Sequence, residues 1–296
     1  MRVFITGATG FIGSTIVQEL IGKGHQVLGL ARSDAAAESL VAAGAQVHRG
    51  DLEDLESLRR GAAMSDGVIH LAFIHDFTDY EANCEIDRRA IEALGSALVG
   101  SDRPLIVTSG VVFIAPGRLT TEDDVADPSR GIPRIASEQA AASVASRGVS
   151  ISVVRLPQVH DRDKQGLITP MIDLAREKGV SAYVGEGTNR IAAVHLLDAA
   201  HLYVLALEKN YAGARYHAVA EEGVTTHDVA EVIGRRLNIP VVAKAPAEAA
   251  SHFGWLSFFV GLDGPASSAQ TRERLGWRPV GPGLIADLEQ ARNLQP

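Results

Sequence analysis

Residues 2–13 read RVFITGATGFIG, a short apolar run followed by a G-x-x-G-x-x-G turn at Gly7, Gly10 and Gly13. Apolar side chains then recur at helical spacing up to Gly24, and a second apolar run covers residues 26–30. Glycines at such a turn permit a tight bend and let backbone amides approach a pyrophosphate, which the helix N-terminus attracts. The stretch therefore predicts a strand–turn–helix unit that binds a dinucleotide. Its predicted cofactor contacts are Gly7, Thr9, Gly10, Phe11, Ile12 and Gly13.

The alternation of strand and helix patterns continues through the first half of the chain. Further apolar runs, of the kind expected for strands buried on both faces, cover residues 46–48, 67–71, 105–108 and 151–154. Such alternation requires parallel pairing through right-handed crossovers. We therefore expect an α/β fold, a doubly wound parallel-sheet Rossmann domain.

The pattern changes after about residue 155, where loop stretches become frequent and helical segments are isolated. This change predicts a smaller C-terminal substrate lobe, interleaved with the first lobe. The predicted division gives 1–155 and about 191–208 to an NADP-binding Rossmann domain, and 156–190 and 209–296 to the substrate-binding lobe.

Composition excludes several classes of protein. The 296 residues carry 28 basic and 36 acidic side chains, a net charge of −8, which disfavours a broad nucleic-acid or anionic-membrane surface. The single cysteine, Cys84, cannot form an intrachain disulfide and is expected to be a buried thiol on a helix. The ten histidines show no zinc-like spacing, so no metal is expected. Without a signal peptide or an apolar run of about 18 residues, we expect a soluble, cytoplasmic protein with no nucleic-acid or membrane partner.

The end of the second predicted strand bears on which dinucleotide is bound. An acidic residue there would bond the ribose 2′-hydroxyl and repel a 2′-phosphate. This chain has Ala31-Arg32-Ser33, with no acid until Asp34. Arg32 can pair with a phosphate through its planar fork, and Ser33 can donate a further hydrogen bond. The sequence favours NADP over NAD; the alternative is that Arg32 is a solvated surface side chain.

Two further loops follow predicted strands at the edge where such sheets bind ligands. The predicted cofactor contacts here are Asp51 and Leu52. Asp51 could lie against the adenine amino group, could cap a helix that begins near Leu52, or could do both. Leu71, Ala72 and Phe73 could lie along the cofactor.

Seven segments together resemble the extended short-chain dehydrogenase/reductases. In chain order they are TGATGFIG, GDLED, HLA, VTSGVVF, VVRLPQVHD, AAVHLLDAA and LGWRP, which span nearly the whole chain. The resemblance implies a Rossmann domain, a C-terminal substrate lobe, a cleft between them, and cofactor contacts at Thr108, Pro157 and Val159. Many such relatives are dimers built on two helices that correspond here to residues 86–98 and 135–146, so it also implies a homodimer.

The sequence departs from that family at the catalytic positions. The usual set is a Ser or Thr after the fifth strand and a Tyr-x-x-x-Lys pair on the next helix. Ser109 matches the serine, but Arg134 stands at the tyrosine position and Glu138 at the lysine position. None of the five tyrosines is followed four residues later by a lysine. The chain is therefore identified as an atypical, divergent member, to which the family's acid–base mechanism does not transfer.

The candidate catalytic residues are Ser109, Arg134 and His160. Ser109 could bond a substrate oxygen and relay a proton from water, and Arg134 could polarise a carbonyl although it is a poor proton donor. His160 titrates near neutrality and is the candidate acid. Glu138 could accept hydrogen bonds from the nicotinamide ribose. The alternatives are an exposed Arg134–Glu138 ion pair and a structural His160.

Two segments could shape a substrate pocket: residues 75–80, and a cluster of Trp255, Phe258 and Phe259. The alternatives are a polar loop for the first and a helix face used in core or dimer contacts for the second, which we favour there. His195 and Asp198 match a family feature at a helix start, where structural hydrogen bonds are expected.

The expected function is reduction of an aldehyde or ketone by an NADPH-dependent oxidoreductase, a carbonyl reductase. Because hydride chemistry belongs to the nicotinamide, protein groups mainly have to position and polarise the substrate. The alternatives are a non-catalytic NADP(H)-binding sensor, which the missing Tyr-x-x-x-Lys pair favours, and a nucleotide-sugar epimerase or dehydratase.

Overall fold

A computed structural model of the chain describes residues 1–294. It contains twelve strands within that range: β1 (Arg2–Thr6), β2 (Gln26–Ala31), β3 (Gln46–Arg49), β4 (Gly67–His70), β5 (Leu105–Gly110), β6 (Ile151–Leu156), β7 (Gln158–His160), β8 (Ser181–Val184), β9 (Arg190–His195), β10 (Arg215–His217), β11 (Glu221–Thr225) and β12 (Val241–Lys244).

The α-helices of the same range are α1 (Phe11–Gly22), α2 (Asp34–Ala42), α3 (Leu55–Ala63), α4 (Tyr80–Ser96), α5 (Ala136–Ala145), α6 (Ile168–Lys178), α7 (Leu196–Lys209), α8 (Thr226–Leu237), α9 (Ala249–Phe253), α10 (Ser257–Val260), α11 (Ala269–Leu275) and α12 (Leu284–Glu289).

The first lobe is built on a seven-stranded sheet in the spatial order β3-β2-β1-β4-β5-β6-β10. Every neighbouring pair in it is parallel. Apolar side chains of α1, α2 and α7 cover one face, and those of α3, α4 and α5 cover the other. Burial on both faces explains why the central strands are continuous apolar runs. The predicted doubly wound Rossmann fold is confirmed, with its six predicted strands.

The second lobe has two small sheets, ordered β11-β9-β7 and β12-β8. Helices α6, α8, α9, α10 and α12 contribute to a separate apolar core beside them. The chain passes between the lobes several times, which places the two lobes against each other along the loops that follow the strands of the large sheet.

The structure corrects the predicted boundaries between the lobes. Strand β10 pairs with β6 in the large sheet, so residues 215–217 belong to the first lobe rather than to the substrate lobe. Trp277, on the segment after α11, is 1% exposed and lies in the same core as α1 and α7. Strand β9 instead joins the small sheet of the second lobe, so residues 191–195 do not belong to the large sheet. These segments are short, and pairing partners that are distant in sequence decide their place.

Helices α4 and α5, the predicted dimer elements, pack closely against each other. A Cβ added to Gly95 would come within 2.5 Å of Val144, so a glycine permits this approach. On the outer side, Arg88 of α4 pairs with Glu85 and with Glu92, the latter at 2.6 Å. The face that a partner would cover is therefore charged, and the homodimer stays a prediction.

Two further observations concern Cys84 and the length of the helices. Cys84 is a buried free thiol on α4, as expected, and burial raises the pKa of that thiol to about 11. Within residues 1–294, no helix has the length and apolar character needed to cross a membrane.

Candidate functional site

The strand order reverses between β1 and β4, whose carboxyl ends open the crevice where such sheets bind ligands. Gly7 adopts a φ of +71°, and a Cβ there would lie 2.8 Å from the backbone nitrogen of Ala72. The Thr6 hydroxyl oxygen accepts hydrogen bonds from the backbone N–H groups of Leu71 (3.2 Å) and Ala72 (3.3 Å). The predicted cofactor residues after β1 and β4 are thus held side by side in the crevice.

The glycine turn has the features that a dinucleotide pyrophosphate requires. Helix α1 begins at Phe11 with no side-chain cap and no acidic residue in its first turn, so its first N–H groups remain available to an anion. A Cβ on Gly10 would meet only the Gly7 carbonyl, at 3.2 Å, which leaves the approach to the turn open. A Cβ on Gly13 would overlap Gly7, so this glycine permits close helix packing. Thr9 is exposed on the turn, and Ile12 is half-buried. The residues present fit a bound dinucleotide.

Arg32 and Ser33 follow β2, at the end of the crevice where an adenosine ribose would lie. Ser33 is the N-cap of α2, and its hydroxyl oxygen accepts a hydrogen bond from the Ala36 N–H at 3.2 Å. The Arg32 side chain is exposed and makes no ion pair or hydrogen bond within the described range. The neighbouring Asp34 is paired with Arg49 at 2.6 Å. Arg32 is therefore available to a ligand, whereas Asp34 is engaged.

Asp51 has a different local role from the predicted helix cap. Its Oδ1 accepts hydrogen bonds from the N–H groups of Glu53 (2.8 Å) and Asp54 (3.0 Å). Helix α3 begins at Leu55, and Asp54 is its N-cap. The predicted capping of a helix from Leu52 by Asp51 is therefore wrong, because Asp51 stabilises the turn that precedes the cap. Leu52, at 9% exposed, belongs to the core beneath α3 rather than to an open surface.

A buried chain of polar side chains runs from the glycine turn to the position where the family has its tyrosine. Thr6 Oγ1 lies 2.7 Å from His70 Nδ1, and His70 Nε2 lies 3.0 Å from Asp87 Oδ1. Asp87 Oδ2 accepts hydrogen bonds from Arg134 Nη1 at 2.7 Å and from the Ser137 hydroxyl at 2.6 Å. Burial opposes ionisation of Asp87, but the Arg134 charge and these hydrogen bonds hold the pKa of its carboxyl below the usual value.

Arg134 is 8% exposed and is fixed by contacts on several sides. Its Nη2 donates to the Thr108 carbonyl at 3.1 Å, its Nη1 also contacts Ser137, and its guanidinium lies 4.3 Å from the centroid of the Phe73 ring. Of the five N–H donors of an arginine, the Nε–H and one Nη2–H are left for a ligand.

Glu138 does not pair with Arg134 or face an open ribose site. Both of its carboxylate oxygens accept hydrogen bonds from Arg155, at 2.7 Å each. The Arg155 side chain is fully buried, and that of Glu138 is 9% exposed. The structure thus contradicts both expectations for Glu138, the ribose contact and the Arg134 ion pair, because a buried cation on β6 takes up its carboxylate.

Ser109 and Arg134 are brought together at the carboxyl end of β5. The carbonyl that accepts from Arg134 belongs to Thr108, the residue before Ser109. Ser109 is 4% exposed, and its hydroxyl makes no side-chain hydrogen bond within residues 1–294. The Thr108 hydroxyl, a predicted cofactor contact, instead donates to the His70 carbonyl at 2.8 Å and lies 2.7 Å from the Tyr203 hydroxyl. Ser109 is therefore the hydroxyl at this edge that remains for a substrate.

His160 does not reach the crevice. It is fully buried, and its Nδ1 lies 2.8 Å from Asp287 Oδ2 on α12. Burial lowers the pKa of His160 even though Asp287 works in the opposite direction. The prediction of His160 as proton donor is therefore wrong, since a general acid must reach the reacting oxygen. The side chain of Val159 is likewise buried in the core, while Pro157 is half-buried.

His195 and Asp198 have the structural roles expected for them. His195 is the N-cap of α7 and accepts a hydrogen bond from the Leu197 N–H. The Asp198 carboxylate accepts from the N–H groups of Val280 (3.0 Å) and Gly281 (2.8 Å). These bonds fasten the C-terminal segment to α7.

The two segments proposed to shape a pocket meet in space, which the sequence did not predict. The Phe77 ring stacks on Trp255 with centroids 4.6 Å apart and planes 12° apart, and lies 5.3 Å from the Phe259 ring. We call this contact of Phe77, Trp255 and Phe259 the aromatic bridge. Aromatic pairs of this kind contribute about 0.5–1.5 kcal/mol beyond the burial of their surface area, so the aromatic bridge is a weak contact between the two segments. Trp255 and Phe258 are each 48% exposed, so the expectation that this cluster packs in the core is wrong, while its use in dimer contacts stays a prediction.

Two residues at this site were missed in the sequence. Lys164 Nζ lies 5.5 Å from the centroid of the Phe11 ring, above the start of α1. It follows closely on Pro157 and Val159, which the family resemblance assigns to the cofactor, and this nearness is a signal that could have identified it. Asp87 carries no such signal, because its partners His70 and Arg134 are distant in sequence.

Within the described residues, no group of three or more metal-ligating side chains could hold a metal ion.

Comparison with known proteins agrees with this architecture. Residues 3–220 match the model of the NAD dependent epimerase/dehydratase family. An uncharacterised protein of Schizosaccharomyces pombe is 50% identical over 291 residues, covering 97% of this chain and 98% of that protein. A 4-hydroxy-2-methyl-3-oxo-4-farnesyl-3,4-dihydroquinoline-1-oxide ketoreductase of Stigmatella aurantiaca is 26% identical over 86% of this chain and 80% of its own length.

Among solved structures, a dTDP-glucose 4,6-dehydratase of Streptomyces venezuelae with NAD bound superposes with a TM-score of 0.77 at 19% identity, covering 99% of this chain and 96% of that one. At this identity the superposition supports the fold alone. The glycine turn, the strand order and the match over residues 3–220 lead to one conclusion. The chain belongs to the NAD dependent epimerase/dehydratase family.

Proposed function

We propose that this protein is an NADP(H)-dependent carbonyl reductase. One observation carries the proposal: a buried arginine is bonded to the Thr108 carbonyl at the edge of the dinucleotide crevice, one residue before Ser109, whose hydroxyl has no side-chain partner in the described range. A hydrogen-bond donor and a fixed positive charge at one point are what a developing alkoxide requires.

The chain's own groups have defined tasks in such a reaction. A bound reduced nicotinamide supplies the hydride. Ser109 donates a hydrogen bond to the carbonyl oxygen and passes on a proton from water. Arg134 polarises the same oxygen through its remaining N–H donors and keeps its own protons, because an arginine side chain stays protonated. The fixed contacts of Arg134 with Asp87 and Thr108 mean that its charge needs no rearrangement during the reaction.

Preference for the 2′-phosphorylated cofactor rests on Arg32. Its side chain has no partner within residues 1–294, while the nearby Asp34 is held by Arg49 and cannot neutralise it. Lys164 supports the cofactor at a second point, since its ammonium group lies 5.5 Å from the centroid of the Phe11 ring, at the start of the helix that would face the pyrophosphate. A ketoreductase among the relatives supports the same reaction class.

The experiment is NADPH consumption by the purified protein with a panel of ketones and aldehydes, with NADH in parallel. We expect consumption with NADPH preferred, and a large loss of turnover in Ser109→Ala. Equal rates with both cofactors would remove the role of Arg32. Unchanged turnover in Ser109→Ala would remove the role of Ser109.

A second candidate is a non-catalytic NADP(H)-binding sensor. One observation favours it: His160, the side chain proposed as an acid, is sealed in the core, and Arg134 cannot serve as one. Binding of NADPH without consumption by any carbonyl compound would favour the sensor. Formation of a product from a nucleotide sugar by the purified protein would instead support an epimerase or dehydratase. The homodimer and the cytoplasmic location remain proposals alongside these.

A further inference from the structure

We propose that the aromatic bridge is the substrate-recognition element, and that it takes a planar, uncharged, apolar carbonyl compound between Phe77 and Trp255. This inference rests on the proposed reductase function, because it names the substrate class for the same site.

The position of the bridge connects it to both polar groups of the site. On one side, Phe259 lies 6.4 Å from the Phe113 ring, and Phe113 packs on Gly110, the residue after Ser109. On the other side, Phe77 lies 5.5 Å from the Tyr80 ring. Tyr80 lies 6.1 Å from the Phe73 ring, on which Arg134 stacks. One path of ring contacts therefore leads from the bridge to the residue after Ser109, and a second path leads to Arg134.

The charges of the two segments select against anionic substrates. Residues 73–80 contain two aspartates, Asp76 and Asp79, and neither they nor residues 253–262 contain a lysine or arginine. Both aspartates are exposed. A nucleotide sugar carries a diphosphate, which would meet carboxylates and aromatic rings here with no cation from either segment to pair it. An uncharged ligand has no such cost.

The stacking geometry selects a planar ring. Phe77 and Trp255 lie face to face, so each covers the aromatic surface that a flat ligand would use. Trp255 is half exposed and lies in a 3₁₀ turn between two short helices, while Phe77 lies in a loop between β4 and α4. Elements with so little regular structure open locally at low cost. A planar ligand can therefore insert between the two rings, so that each ring stacks on the ligand instead of on the other, without disturbing the rest of the fold.

Trp255 provides a direct readout. The other tryptophan, Trp277, is 1% exposed in the core, so a change of emission on ligand addition comes from Trp255. Benzylacetone carries a phenyl ring and a ketone, and methyl propyl ketone carries the ketone without the ring. The titration uses protein saturated with NADP+, which cannot reduce a ketone, so the signal reports binding alone. UDP-glucose is titrated in parallel.

We expect a saturable emission change with benzylacetone, and affinity at least tenfold weaker for methyl propyl ketone and for UDP-glucose. Phe77→Leu should weaken benzylacetone binding about tenfold, since it keeps an apolar side chain but loses the ring. Phe258→Leu is the matched control, because Phe258 is as exposed as Trp255 but does not stack on Phe77. In this variant the Kd of benzylacetone should stay within twofold of the native value. Trp255→Phe should abolish the emission change, and calorimetry should show that it retains most of the affinity.

The outcomes separate this inference from the proposed function. Tighter binding of UDP-glucose than of benzylacetone, or an unchanged Kd in Phe77→Leu, overturns the substrate class even if NADPH is consumed with other carbonyls. Saturable benzylacetone binding that Phe77→Leu weakens supports the recognition role of the bridge. If no carbonyl compound is then reduced, the reductase function fails while the aromatic site stands.

Discussion

Arg134 and Asp87 form a buried ion pair, with 2.7 Å between Nη1 and Oδ2, at the position where the family's catalytic tyrosine is replaced. The pair joins the turn before α5 to the middle of α4. It explains how an arginine can stand in a nearly dry site, since a buried charge is tolerated only when it is paired and hydrogen-bonded.

The first prediction concerns the contribution of this pair to stability. Asp87→Asn should lower the free energy of unfolding by about 3–5 kcal/mol, because it leaves the Arg134 charge buried without a counter-charge. Urea unfolding measures the loss. The control is Glu92→Gln on the same helix, which removes an exposed partner of Arg88 and should cost about 1 kcal/mol or less. Similar losses in both variants would contradict the burial argument.

The second prediction concerns the motif that the chain lacks. The double change Arg134→Tyr and Glu138→Lys restores Tyr-x-x-x-Lys in sequence, yet it should destabilise the fold. It removes the cation from Asp87 and places a second cation against the buried Arg155. Thermal unfolding should show a lower Tm than for Arg134→Tyr alone. A double variant that is as stable as the native chain and more active would show that the two ion pairs are dispensable.

The third prediction concerns catalysis. Ser109→Ala should lower kcat about 10²-fold, the usual effect of removing one hydrogen-bond donor from a developing oxyanion, with the NADPH Kd unchanged within twofold. Steady-state kinetics and cofactor titration give the two quantities. Ser143→Ala on the exposed side of α5 is the control and should leave both unchanged.

The fourth prediction distinguishes two contacts with the cofactor, one to its 2′-phosphate and one to its pyrophosphate. Arg32→Ala should raise the Kd of NADPH at least about tenfold and leave that of NADH unchanged, because only the former carries the 2′-phosphate. Lys164→Ala should raise both values, because the pyrophosphate is common to both cofactors. Loss of affinity for NADPH alone in Lys164→Ala would place this lysine at the 2′-phosphate instead.

The fifth prediction concerns pH. His217 is fully buried, with Nε2 3.2 Å from Arg155 Nη1 and Nδ1 2.7 Å from the Ser267 carbonyl. Because arginine can only donate and a carbonyl can only accept, the imidazole is neutral with its hydrogen on Nδ1. Burial first, and the Arg155 charge with it, lower the pKa of His217 to about 4.

In the unfolded chain His217 binds this proton near the ordinary pKa of about 6.5. The contribution of neutral His217 to stability is therefore complete above that pH and decreases as the pH falls toward 4. The slope from one such histidine is at most about 1.4 kcal/mol per pH unit. Urea unfolding between pH 7.5 and about 5 measures it. His217→Gln should flatten the slope; an equally steep slope in this variant would assign it to other groups, with His160 the first to test.

Local patterns in the sequence predict much of this molecule, while partners distant in sequence decide the rest. The glycine turn and the six strands are predictable because each depends on neighbouring residues. The partner of Arg134 is 47 residues away, on a helix whose spacing suggests only an amphipathic surface. Glu138 is four residues after Arg134, the spacing of an ion pair on a helix. Its carboxylate pairs instead with Arg155, a buried cation on β6.

The same distinction holds at the edges of the site. Asp51 and Asp54 both suit a helix cap, and the choice between them is made by where α3 begins. Phe77 and Trp255 are nearly 180 residues apart in the chain, so no local pattern shows that they stack. Their contact depends on how the second lobe is placed over the first.

The placement of β10 and Trp277 has a consequence for how the protein is made. The seventh strand of the large sheet, β10, follows β7, β8 and β9 of the second lobe, and the Trp277 indole, which belongs to the same core as α1 and α7, follows all of the strands. The sheet and core of the nucleotide-binding lobe therefore stay incomplete while only residues 1–155 have been synthesised. We expect the nascent chain to remain vulnerable to proteases until residue 277 has left the ribosome, and no single truncation to release a complete first lobe.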